Sequence, residues 1–109
     1  MTTTATLAPE HHALRPELCQ AMPDVRAGVD AVDAELIALL AERFGYMRAA
    51  ARIKPERAMV RDEPRKRQVI ANAVAQARTY GLPEALIAEL WERLVEGSIA
   101  YEMKAFDAR

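Results

Sequence analysis

Two cations stand where an apolar seam should continue. The stretch from Val25 to Lys54 reads VRAGVDAVDAELIALLAERFGYMRAAARIK. Apolar residues recur at helical steps of three and four through Val25, Val29, Val32, Leu36, Leu39 and Leu40, then Met47 and Ala50. Arg43 follows Leu39 by four positions and precedes Met47 by four, and Lys54 follows Ala50 by four. The eleven positions between Arg43 and Lys54 span about three turns, so on one helix the two project within roughly 20° of each other. Cations on the buried side of a helix need an anion. The competing reading is that their aliphatic stems lie along the seam while the charged heads reach water. With an anion, the chemistry is electrostatic: holding a small dianion and stabilising charge that develops on it.

Three further polar features bear on this. Arg26 lies 17 residues before Arg43, about 100° around the helix and roughly 25 Å along it. It cannot share a small ligand with Arg43 from the same helix, but it could reach a site on a second chain if two long helices pair. Otherwise it is a surface residue beside Asp30. Glu102 follows Trp91, Val95 and Ser98 at steps of four, three and four, so its carboxyl projects from a partly apolar helix side. It is either a rim glutamate paired with another chain's cation, or a glutamic acid kept neutral so that it can donate a hydrogen bond. The cluster RDEPRKR, Arg61 to Arg67, reads mainly as a solvated helix start, with Arg65 able to swing toward an anion at the Lys54 end of the first helix.

Other chemistries lack their motifs. No Gly-rich phosphate loop, His-Glu metal pair, or Cys or Ser nucleophile motif is present. His11 and His12 are adjacent and cannot face one site from a helix, and no Cys or carboxylate cluster joins them. The expectation is therefore no metal and no cofactor.

The elements that must position these groups are helices. With 109 residues, 51% of them hydrophobic, 6% aromatic and only 4 Gly, the chain has the composition of a single helical-bundle domain. Residues 1–22 hold a Thr run, Pro9 and Pro16 without periodicity and read as a flexible arm, leaving 23–109 as the helical domain. The first helix starts near Pro23, with Asp24 at its positive end, and Pro55 ends it. Gly28 within it costs about 1 kcal/mol relative to Ala and permits close backbone approach. At about 30 residues the helix is roughly 45 Å long, too long for a compact monomer, and such a helix buries its seam against another chain. Pro55 to Arg61 reads as a loop. Asp62 caps a second helix that runs to about Tyr80, where Gly81 stops it. Pro83 opens a third, carrying Leu86, Ile87, Leu90, Trp91, Leu94, Val95, Ile99, Met103 and Phe106.

Charge and composition exclude other classes. With 15 basic and 16 acidic residues the formal net charge is −1, which gives no support for nucleic-acid binding. Cys19 is the sole cysteine, so no intrachain disulfide forms. The N-terminal residues lack the basic start and apolar run of a secretory signal, and no stretch of about 18 apolar residues could span a membrane. These features predict a cytoplasmic protein.

The helix 1 stretch quoted above, VRDEPRKRQVI at helix 2 and EGSIAYEMK in helix 3 together resemble the all-helical chorismate mutase family, in particular its short members that include isochorismate pyruvate-lyases. The resemblance covers about Pro23 to Phe106. It implies an all-α, three-helix protomer with one long N-terminal helix, paired into an intertwined homodimer with shared active sites. It further implies that Arg43 grips one carboxylate of the substrate and Arg26 of the other subunit grips a carboxylate too. Lys54 would bond the enol-pyruvyl ether oxygen and a carboxylate, and Glu102, where the family carries Gln or Glu, would donate to that same oxygen. Arg65 would add positive charge, while Asp62 and Ser98 line the pocket. The implied activity is the rearrangement of chorismate to prephenate. The alternatives are elimination of pyruvate from isochorismate to give salicylate, or a non-catalytic dimerisation or regulatory module. Lys66 departs from the pattern: typical mutases have a Glu there that grips the ring hydroxyl, and the hydroxyl position differs between the two substrates.

Overall fold

A computed structural model describes residues 13–109, so His11 and His12 lie outside the described residues. Among these residues there are three α-helices: α1 (Met22–Ile53), α2 (Glu63–Thr79) and α3 (Glu84–Asp107). The expected all-α class is found, with each helix starting and stopping within about two residues of its local signals. The chain divides into two compact units, one ending at Arg43 and the other running Phe44–Arg109.

In the first unit, the described part of the arm carries a 3-10 turn at Pro16–Leu18. Asp24, third residue of α1, reaches back to accept the Gln20 amide at 3.2 Å, which satisfies a donor ahead of the first helical turn. Leu14, Pro16 and Cys19 line a groove of about 390 Å³ with Val25, Gly28, Val29 and Val32 of α1. Gly28 is not needed for close approach: a Cβ there would lie 3.9 Å from the Leu14 carbonyl, an ordinary contact. The seam that defines α1 stays open in the single chain, with Val29 and Leu36 each 52% and Leu39 60% exposed. A run of large apolar side chains at helical spacing that stays this exposed among the described residues marks an interaction surface.

In the second unit, α2 packs on α3. The Asp62 carboxylate accepts the Arg65 amide at 3.1 Å, the N-cap its position predicted. Gly81 ends α2 with φ 69°, its own amide donating to Arg78 O at 3.2 Å and the Leu82 amide to Ala77 O at 2.8 Å. Gly81→Ala is expected to lose about 1 kcal/mol, because an L side chain strains in this left-handed conformation; the fall in Tm in a thermal melt measures it. The stretch expected as a plain loop holds a 3-10 turn, Arg57–Met59, and Val60 after it is buried. Buried apolar residues among those described are small: Ala51, Val60, Ala77 and Val95. Beside them Ser98 and Glu102 are buried as well, each only 4% exposed. No helix among the described residues is long and apolar enough to cross a membrane.

Candidate functional site

The second unit brings Lys54 and Glu102 together. Pro55 disfavours helical geometry at the residue before it, so α1 stops at Ile53 and the Lys54 amide makes the last bond of the run, to Ala50 O at 2.9 Å. The Lys54 side chain leaves this helix end and puts Nζ 2.8 Å from Oε2 of Glu102. Glu102 is set by α3, whose Val95, Ser98 and Glu102 form a buried stripe at the steps of three and four read from the sequence. The Lys54 side chain keeps 30% of its surface exposed and that of Glu102 only 6%. The cation is thus the accessible member of the pair, and the carboxyl lies behind it.

The pairing is a close charge contact without good hydrogen-bond alignment: Oε2 is fully buried and no described residue gives it an aligned donor. A buried oxygen in that condition is rare in folded proteins and costs stability. Such an ion pair adds little net stability, since well-packed apolar side chains would serve as well or better. It holds a cation and a carboxyl next to each other at a helix end.

Ser98 lies one turn before Glu102 on α3 and donates from Oγ to Leu94 O at 2.7 Å. Asp62 and Arg65 stand at the exposed start of α2, where Asp62 is occupied as the cap and the Arg65 guanidinium donates to Gln68 Oε1 at 2.6 Å. Arg26 and Arg43 belong to the first unit. Arg26 is exposed and Arg43 is half-buried. No group of three or more His, Cys, Asp or Glu side chains able to hold a metal ion occurs among the described residues.

The RDEPRKR cluster is not simply a solvated helix start. Arg61 forks onto Glu96, with Nη2 to Oε1 at 2.7 Å and Nη1 to Oε2 at 3.1 Å, and also reaches Glu63 at 2.6 Å. Lys66 lies across Glu92 at 2.8 Å and Glu96 at 2.6 Å. Its ammonium is therefore spent on α3. Glu92 and Glu96, four apart on one face of α3, were missed in the sequence because nothing local pairs them with residues about 30 positions earlier.

The Arg61 guanidinium, and after it Lys66, hold the Glu96 carboxyl at about 2, well below its ordinary 4.5. A carboxylate with a depressed folded value stabilises fully above its unfolded value and loses that contribution as pH falls through the folded one. Glu96→Gln should therefore be less stable than the wild type near neutrality. The Tm gap should close as pH falls from about 4.5 toward 2, read by circular dichroism melts across that range. A gap independent of pH would show that the Glu96 charge contributes nothing.

Residues 25–103 match the family described as chorismate mutase type II. The chain is also similar to an isochorismate pyruvate lyase of Pseudomonas aeruginosa, 26% identical over 89 residues, which cover 82% of this chain and 88% of that protein.

Proposed function

This chain belongs to the chorismate mutase type II family, and on that premise we propose that it converts chorismate to prephenate by electrostatic preorganisation, in a site completed by a second copy of the chain. The observation that carries this reading is the Lys54–Glu102 pair: an accessible ammonium 2.8 Å from a buried, poorly aligned carboxyl oxygen. A dianion that draws Lys54 away finds Glu102 directly behind it.

The rearrangement is pericyclic. The ether C–O bond breaks as the new C–C bond forms, and no acid, base or nucleophile is consumed. The site must hold a flexible dianion with its enol-pyruvyl arm folded over the ring, and Arg43 with Arg26 of the second copy holds the two carboxylates. Negative charge grows on the ether oxygen in the transition state. Lys54 donates to that oxygen, with Glu102 beside it at 2.8 Å, and the stabilisation is largest when the charge is largest. Asp62, Arg65 and Ser98 line the rest of the pocket. The open seam of α1 favours the paired-helix homodimer, since a second copy would cover Val29, Leu36 and Leu39. A cytoplasmic setting fits the lone Cys19.

One observation favours a second reading. Lys66, where a carboxylate would grip the ring hydroxyl of chorismate, is engaged by Glu92 and Glu96. The site then lacks that acceptor and would accept isochorismate, whose hydroxyl lies elsewhere, releasing pyruvate and salicylate by hydrogen transfer in a pericyclic step. The Pseudomonas relative bears the name of that activity. Incubation with chorismate and, separately, with isochorismate decides between them. Prephenate from the first supports the mutase, salicylate from the second the lyase, and neither product the non-catalytic module.

A further inference from the structure

Pro55 leaves a defect at the end of α1, and Arg109 repairs it. In a continuing helix the Ala51 carbonyl would accept the amide of residue 55, but proline has no N–H. Ala51 is buried, only 2% exposed, so its carbonyl has little recourse to water. Arg109 Nη1 donates to Ala51 O at 3.1 Å and to Lys54 O at 2.6 Å, while Nη2 reaches Pro55 O at 3.4 Å. The guanidinium is steadied by the Phe106 ring, whose centroid is 3.7 Å from its central carbon. A planar cation with two forked amines suits several carbonyls at the negative end of a helix.

Arg109 thus grips the backbone of Lys54 itself. Glu102, which meets the other end of Lys54, lies seven residues before Arg109, on α3. The segment that presents the carboxyl also ties down the helix end that presents the ammonium. A second fork acts on the same connection, Arg57 Nε to Asp107 Oδ1 at 2.8 Å and Nη2 to Oδ2 at 3.1 Å. We propose that Arg109 is a positioning residue for Lys54: it supplies the donor that Pro55 withholds and so fixes where the Lys54 ammonium stands relative to Glu102. The catalytic half of this proposal rests on the assignment of Lys54 above; the latch itself does not.

The test uses Arg109→Ala and, should that variant fold poorly, Phe106→Leu, which loosens the guanidinium without removing it. Amide hydrogen exchange over residues 51–60 reads the latch directly, and faster exchange there, at unchanged protection of α2, is expected. Unchanged exchange overturns the proposal whether or not the protein has activity. Steady-state kinetics on whichever substrate the wild type turns over then read the positioning. A misplaced ammonium near the reacting bond should lower kcat by about tenfold or more with a much smaller change in KM. On a Lys54→Ala background, Arg109→Ala should add nothing further, because its effect passes through the missing ammonium. Equal multiplicative losses on both backgrounds would overturn the positioning role in favour of a general structural one. A wild type without turnover on either substrate, with faster exchange in the variant, would overturn the functional reading while supporting the latch.

Discussion

Lys54→Ala is expected to lower kcat by about 10²–10³-fold, the loss seen when a donor to a developing oxyanion is removed. In the proposed reaction Lys54 would act on the ether oxygen mainly as the bond breaks, so the effect should fall on kcat more than on KM. The variant carries a second lesion. It leaves the Glu102 carboxyl, whose side chain is 6% exposed, without the cation 2.8 Å away. Removing one partner of a buried pair costs on the order of 3 kcal/mol, so Tm should fall as well. The two lesions separate in the double variant Lys54→Ala/Glu102→Gln. Its neutral amide no longer needs a counter-charge, so stability should return while turnover stays lost. Recovery of turnover together with stability would mean that Lys54 serves only to hold the fold.

The other large effect is expected at the seam. Leu36→Glu should leave a monomer on size exclusion and lower turnover by more than about a hundredfold at micromolar protein. Leu36 is 52% exposed in the single chain and stands on the row from Val25 to Leu39. If a second copy covers that row, an unpaired carboxylate there loses its hydration, at a cost of several kcal/mol. Separation of the copies removes Arg26 from the site it would complete. Neither Leu36 nor its neighbours on the row enter the proposed chemistry, so the loss of turnover would follow from the loss of pairing. A Leu36→Glu protein that stays monomeric and fully active would remove the second copy from the account.

What could be read from the sequence was whatever depends on near neighbours. Pro23 and Asp24 mark the start of α1, Pro55 its end, Asp62 the cap of α2 and Gly81 its stop; each acts within a turn of its own backbone. The stripe from Val95 to Glu102 follows from helical period alone, and so does the seam of α1. The family likeness supplied roles for Lys54 and Glu102. That the two meet as a pair at 2.8 Å depends on how α3 lies against the end of α1, which no local rule specifies. Long-range charge matching was equally hidden. Arg61 and Lys66 looked like solvated basic residues because their partners, Glu92 and Glu96, come one helix later. Arg109 gave no periodic signal, since it stands beyond α3. Only the missing amide of Pro55 hints that some donor must arrive at Ala51 O, and it does not say which.

In the proposed homodimer one copy's Arg26 completes the site built on the other copy's Lys54. The most direct measurement mixes Arg26→Ala with Lys54→Ala, each nearly inactive alone, under conditions in which subunits exchange. In a mixed pair one site carries both lesions and the other carries neither, so random exchange should restore about a quarter of wild-type activity. If the mixed pairs form, as native mass spectrometry would show, and activity stays at the level of the separate variants, the site does not draw on two copies and the account fails.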